Sequence, residues 1–145
     1  MSEPIYTHSG RCHCGAISME LAFQRPADEM QVRSCQCDFC SRQGSRTISA
    51  ADGRAVISIA ADQLTTYSFG TETCSVLICM RCGVYAGVIM DGGAQLLSIA
   101  NTRGLGITAF KDRDSARLTH DGESTSDRID RRRSRWTPTE IKYTL

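Results

Sequence analysis

The chain has 145 residues, of which 41% are hydrophobic and 23% charged, and its formal net charge is +1 at pH 7. This composition suits one globular domain, and we expect a single domain over residues 1–145. A charge near zero gives no electrostatic reason to expect a nucleic acid or an anionic membrane as partner. No run of about 18 apolar residues exists, and Met1–Tyr6 lacks the basic and apolar regions of a signal peptide, so we expect a cytoplasmic protein.

The first predicted element is a strand that directly follows a pair of cysteines. Cys12 and Cys14 precede residues 16–23, where apolar side chains at every second position alternate with polar ones. Alternation with a period of two predicts a half-buried strand.

A second cysteine cluster, Cys35-Gln-Cys37-Asp-Phe-Cys40, follows this strand. Further short strands are predicted at residues 56–59, 64–69, 75–78, 84–90 and 95–99. The third cluster, Cys79-Met-Arg-Cys82, lies between the third and fourth of these strands. The last two flank Asp91-Gly-Gly93, whose glycines tolerate positive φ, so they predict a hairpin. Because no sustained apolar period of 3.6 occurs before residue 120, we expect a mainly β fold.

One helix is predicted near the C-terminus, at residues 124–136, ending before Pro138. Ser124 or Ser126 can cap its first N–H groups. Ile129 and Trp136, seven residues apart, are expected to share the face that docks on the sheet. The basic run at residues 131–135 has two interpretations, a solvated helix face or an anion-binding patch.

The cysteine spacings indicate metal ligation. Cysteines one or two residues apart cannot easily form a disulfide with each other, whereas a tight turn points both sulfurs at one ion. The pairs Cys12/Cys14 and Cys79/Cys82 together supply four thiolates, which is the ligand number of a closed structural zinc site. Disulfides or free structural thiols are the alternative for these pairs.

The cluster of Cys35, Cys37 and Cys40, called the triad below, supplies only three thiolates. A zinc ion held by three protein ligands keeps one position for water or substrate. Candidate fourth groups are Cys74, His8, His13, His120, water or a thiol substrate. A fourth side chain of the protein that closes the site would favour the alternative, a non-enzymatic scaffold or binding module with a structural zinc, whereas an exposed triad beside a cleft would favour an enzyme.

Three segments carry a resemblance to a known family: Gly10–Ile17, Cys35–Arg42 followed by Gly44, and Cys79–Gly83. They resemble, in the same order, the glutathione-dependent formaldehyde-activating enzymes and their relatives, which include the domain of centromere protein V. The similarity covers residues 8–110, roughly, and leaves a divergent tail at residues 111–145. Ile78 also departs from the family, which usually has an aromatic residue there.

The resemblance implies coiled antiparallel sheets organised around zinc. It implies a carbon–sulfur lyase that joins glutathione to formaldehyde, like S-(hydroxymethyl)glutathione synthase. It places Cys12, Cys14, Cys79 and Cys82 on a structural zinc ion, and Cys35, Cys37 and Cys40 on a catalytic or labile one, which makes two zinc ions per chain. We therefore expect glutathione, or another small thiol, and an aldehyde as partners. Candidates for binding the glutathione carboxylates are Arg42, Arg46 and the arginines of residues 131–135.

Overall fold

The computed structural model describes residues 6–144, and the expectation of no signal segment at the N-terminus falls mostly on residues outside this range. The strands of the described part are β1 Tyr6–Arg11, β2 Ile17–Phe23, β3 Val32–Cys35, β4 Thr47–Ile48, β5 Arg54–Ala60, β6 Leu64–Tyr67, β7 Ser75–Cys79, β8 Tyr85–Asp91, β9 Leu96–Asn101, β10 Ser115–Leu118 and β11 Thr137–Thr144. The helices are α1 Asp38–Gln43 and α2 Thr125–Arg135, and short 3-10 turns occur at Ala27–Glu29 and Thr108–Phe110. The prediction of a mainly β fold with a short C-terminal helix is confirmed.

The strands form one mixed sheet that branches at β9. Along its main path the order is β1-β2-β5-β11-β9-β4-β3-β10, and β9 also pairs with β8, which continues to β7 and β6. Most neighbours are antiparallel, as expected. The pairs β5/β11 and β3/β10 are parallel, and parallel neighbours need a long crossover, which the sequence separation of these strands supplies.

Two groups of buried side chains stabilise the sheet. The predicted alternation of β2 is confirmed, since its inward residues Ile17, Met19, Leu21 and Phe23 are all at most 3% exposed. They belong to the larger group, with residues of β5 and β7. The second group includes Val76, Val88 and Leu97 and lies beneath α2.

Helix α2 docks on this second group as the sequence predicts. Ser124 caps it, because its hydroxyl accepts a hydrogen bond from the Asp127 N–H at 3.1 Å. Trp136, which directly follows the last helical residue, is buried in the group, and Ile129 packs against it.

The sequence patterns did not predict several of the observed elements, namely α1, β1, β3, β4, β10 and β11. The strands β3, β4 and β10 have four residues or fewer, too few for a clear alternation. Among residues 6–144, no helix has the length and apolarity needed to cross a bilayer.

Candidate metal centres and the adjoining cavity

The two outer cysteine pairs meet in one four-sulfur cluster. The sulfurs of Cys12, Cys14, Cys79 and Cys82 all lie within 4.8 Å of one another. The Sγ–Sγ distance is 3.8 Å between Cys12 and Cys14 and 3.5 Å between Cys14 and Cys79. Tetrahedral zinc with Zn–S bonds of about 2.3 Å requires sulfurs roughly 3.8 Å apart, so this cluster can hold one such ion. All eight cysteines are free thiols, which argues against the disulfide alternative.

The first pair sits on a tight turn between β1 and β2. The Cys12 N–H donates to the Ile17 carbonyl at 2.8 Å, and the Ile17 N–H donates to the Cys12 sulfur at 3.3 Å. Gly15 has a φ of 84°, a left-handed conformation that favours glycine. Its N–H donates to the Cys12 carbonyl at 3.0 Å. The turn therefore fixes the direction of the Cys12 side chain.

The second pair repeats this arrangement after β7. The Cys79 N–H donates to the Val84 carbonyl at 3.0 Å, and the Cys82 N–H approaches the Cys79 sulfur at 3.5 Å. Gly83, with a φ of 79°, donates to the Cys79 carbonyl at 2.8 Å. The sheet thus brings together two similar turns that are far apart in sequence.

The triad forms where a strand ends and a helix begins. Cys35 is the last residue of β3, Cys37 is the N-cap of α1, and Cys40 lies in the first turn of the helix. Their sulfurs lie within 4.8 Å of one another. The Cys37 sulfur accepts a hydrogen bond from the Cys40 N–H at 3.4 Å. Gly44, with a φ of 62°, ends the helix, so α1 is a short element that directs two of the three thiols.

The pKa values of the Cys35 and Cys40 thiols are shifted in opposite directions. A hydrogen bond with Cys40 lowers the pKa of Cys35 to about 5, although burial acts in the opposite direction. The same hydrogen bond, together with burial, raises the pKa of Cys40. The pKa shift at Cys35 favours a thiolate, which is the form that binds metal ions.

The predicted fourth ligands differ in position. Cys74 and His120 line the same cavity as the triad. His8 packs against Phe110, with ring centroids 5.1 Å apart, outside that cavity, and His13 is exposed between the first two cysteines. Within residues 6–144, no further Cys, His, Asp or Glu ligand atom lies within 4.8 Å of all three sulfurs. The triad therefore offers three ligands beside open space.

A cavity of about 300 Å³ adjoins the triad, a volume at the lower end of small-molecule sites. Its apolar wall consists of Phe39, Phe69, Val76, Tyr85, Val88, Ile99, Leu118 and Trp136. Burial raises the pKa of Tyr85 well above its usual range, so its phenol stays protonated.

The cavity is also lined by five arginines, Arg33, Arg128, Arg131, Arg132 and Arg135. The last four follow an i, i+3, i+4, i+7 spacing and so share one face of α2. Of the arginines predicted at residues 131–135, Arg133 does not line the cavity and instead lies 4.0 Å from Asp130. Arg33 and Arg128 were missed, although the helical spacing of Arg128 is visible in the sequence.

Most of these arginines have defined partners. Arg131 donates two hydrogen bonds to Glu123, at 3.0 and 3.1 Å, and these bonds lower the pKa of that carboxyl. Arg132 donates to the Thr73 hydroxyl at 2.7 Å and lies 5.2 Å from the centre of the Trp136 ring.

Arg33 has a neutral partner, since it donates to the Ser49 hydroxyl at 2.7 Å. Burial and then the charge of Arg135 lower the pKa of Arg33. Within residues 6–144, Asp121 is the carboxylate among the lining residues, and Glu123 lies beside them. The cavity therefore has an excess of positive side chains over carboxylates.

The other two predicted arginines lie elsewhere. Arg42 pairs with Asp38 at 3.0 Å on the exposed side of α1. Arg46 donates to the Arg113 carbonyl at 2.8 Å. Neither lines the cavity of the triad.

With a mixed β-sheet and two cysteine clusters, the chain has the features of a metal-binding protein. Residues 7–106 match the family described as glutathione-dependent formaldehyde-activating enzyme. The match covers more than half of the chain, so the protein belongs to this family, and the predicted membership is confirmed. Both cysteine clusters lie inside the matched region, whereas α2 and its arginines lie outside it.

Among solved structures, a crystal structure of a Rhodobacter sphaeroides protein determined in structural genomics is similar. Its sequence is 25% identical, the alignment covers 94% of this chain and 99% of that chain, and the TM-score is 0.49.

Proposed function

We propose that the protein catalyses the reversible addition of glutathione, or a similar small thiol, to an aldehyde of the formaldehyde class. This is a carbon–sulfur lyase reaction. The observation that carries the proposal is a three-thiol cluster bordering a cavity lined by five arginines. Membership of the glutathione-dependent formaldehyde-activating family supports it.

The two cysteine clusters have different roles in this proposal. Cys12, Cys14, Cys79 and Cys82 hold a structural zinc ion, whereas Cys35, Cys37 and Cys40 hold a catalytic one. When bound at the triad, zinc supplies positive charge that favours the thiolate form of the substrate sulfur.

The cavity-lining arginines of α2, which we call the arginine face, bind the carboxylates of the thiol substrate. They are Arg128, Arg131, Arg132 and Arg135. Glutathione has two carboxylates, and a guanidinium can bind a carboxylate through two parallel hydrogen bonds. Arg131 makes such a pair with Glu123, so its geometry suits this role. Arg135 has no hydrogen-bond or ion-pair partner among residues 6–144 and is free to bind a second carboxylate.

The addition joins the thiol sulfur to the carbonyl carbon, and the thiol proton ends on the aldehyde oxygen. Tyr85 lines the cavity with its phenol protonated. We assign it to donating a hydrogen bond to that oxygen as negative charge develops there.

The proposal is tested by carbon-13 exchange NMR. This measures how fast formaldehyde exchanges between its free form and its adduct with glutathione. The addition also proceeds without a catalyst, so the exchange rate must rise in proportion to the concentration of protein. Cys37→Ser should remove the acceleration, and Arg133→Gln, outside the cavity, should retain it. Exchange at the uncatalysed rate with folded, zinc-loaded protein would contradict the proposal and favour the non-enzymatic scaffold.

A further inference from the structure

One wall of the cavity is a run of aromatic rings that begins at the triad. Phe39 lies between the second and third cysteine of the triad in sequence. Its ring centroid is 5.0 Å from that of Phe69 and 6.0 Å from that of Tyr85. Tyr67 stacks on Phe69 at 5.6 Å. Since Phe69 is 38% exposed and Tyr67 48% exposed, the aromatic surface continues from the cysteines to solvent.

The aromatic wall and the arginine face come from different elements. The rings of Phe39, Phe69 and Tyr85 belong to α1, to the segment after β6 and to β8, whereas four of the five arginines belong to α2. The cavity therefore presents a charged surface and an apolar surface to whatever it binds. A ligand that uses both must carry anionic groups and an apolar group.

The formaldehyde adduct of glutathione uses only one of these surfaces. Glutathione is polar along its length, and its carboxylates match the arginines. Formaldehyde has no substituent on its carbonyl carbon, so it leaves the aromatic wall uncovered. Covering apolar surface with an apolar group stabilises a complex in proportion to the area removed from water.

We infer that, besides formaldehyde, this site accepts aldehydes with an apolar substituent, such as a phenyl ring, that packs against Phe39, Phe69 and Tyr85, and that it binds their glutathione adducts more tightly than the formaldehyde adduct. The inference rests on the proposed function, because it requires the thiol and the aldehyde to meet at the triad. The bond formed still joins sulfur to the carbonyl carbon, and the thiol proton still passes to the oxygen. Phe69 is the specificity-determining residue to mutate, because its side chain is partly exposed and its replacement should disturb folding least.

Stable thioethers test the inference without turnover. S-benzylglutathione presents a phenyl group on the sulfur, whereas S-methylglutathione presents only a methyl group. Trp136 is the one tryptophan of the sequence and lines the cavity, so its fluorescence reports binding. We expect a Kd for S-benzylglutathione lower by at least about tenfold.

Phe69→Ala should reduce the ratio of the Kd for S-methylglutathione to that for S-benzylglutathione to about threefold or less. The Kd of S-methylglutathione itself should stay unchanged. Tyr143→Ala is the matched control, because Tyr143 is 68% exposed and lies outside the cavity. It should leave the preference unchanged.

Equal affinities of the wild-type protein for the two thioethers would overturn the inference, and so would binding of neither. This comparison needs no variant, so it does not depend on the folding of Phe69→Ala. The proposed function is decided separately, by the exchange of formaldehyde with glutathione. Acceleration of that exchange together with equal thioether affinities would leave the function standing and remove only the inference about the aldehyde.

Discussion

The Arg131 guanidinium donates two hydrogen bonds to the Glu123 carboxylate, with N···O distances of 3.0 and 3.1 Å. The same carboxylate lies 3.7 Å from Nε of Arg128. Both arginines line the cavity beside the triad. Glu123 therefore occupies the donors that a substrate carboxylate would use.

Glu123→Gln should increase the affinity for glutathione, because the neutral amide competes less well for Arg131 and leaves more net positive charge at the cavity. We expect the Kd measured by calorimetry at low ionic strength to fall by about threefold, and the change to shrink in high salt. Weaker binding would instead show that Glu123 mainly holds Arg131 in position.

Arg135→Gln should weaken glutathione binding without changing the melting temperature. Arg135 is exposed, lines the cavity and has no ion-pair partner among residues 6–144. A loss of about two- to fivefold in affinity is typical of such an exposed charge. Arg133→Gln removes the same charge from the same helix outside the cavity and is the control. If both variants bind equally well, the arginine face does not bind the thiol.

The two cysteine clusters should differ in their effect on stability. Cys82→Ser leaves the four-sulfur cluster incomplete, and zinc binding in small modules contributes on the order of 10 kcal/mol to folding. We expect an insoluble protein, or a Tm lowered by at least about 10 °C. Cys37→Ser, which is also partly exposed, should lower the Tm by less than about 5 °C. Equal losses would indicate that the triad is structural too.

Much of the fold follows from local patterns in the sequence. The alternation in β2 and the paired glycines between β8 and β9 specify strands and a hairpin through side-chain direction and turn geometry. The cysteine spacings likewise indicate which cysteines of one turn point in the same direction, because one or two intervening residues constrain the backbone. These features depend on neighbours in sequence, so they could be predicted.

Features that depend on contacts between residues distant in sequence could not be predicted. Helix α1 has six residues, too few for a helical period, and it is defined by the Cys37 cap and the turn at Gly44. Strand β11 pairs in parallel with β5, and nothing local marks that partner. The spacing of Arg128, Arg131, Arg132 and Arg135 is visible in the sequence, but only the position of α2 shows that this face borders the triad.

Stability should fall in mild acid partly because of His8. Its Nε2 is buried without a hydrogen-bond partner, and burial lowers its pKa below the ordinary value of 6.5. The unfolded chain therefore binds the proton more readily than the folded chain. The contribution of His8 is fully present above pH 6.5 and is lost as the pH falls towards its folded pKa.

His8→Gln should accordingly show a smaller loss of urea midpoint than the wild-type protein between pH 7.5 and about pH 5.5. His13→Gln, at an exposed position, should behave like the wild type. An unchanged pH dependence in His8→Gln would assign the acid sensitivity to other groups.

The most direct test of the proposed site is a titration of glutathione into the cobalt-substituted protein. The triad brings three thiols together, so a zinc or cobalt ion bound there, as proposed, would keep a fourth position for the glutathione sulfur. We expect the thiolate-to-cobalt charge-transfer bands of one site to change, Cys40→Ser to abolish the response, and the bands of the Cys12, Cys14, Cys79 and Cys82 cluster to stay constant. Unchanged bands at saturating glutathione would contradict an open thiol-binding position at the triad.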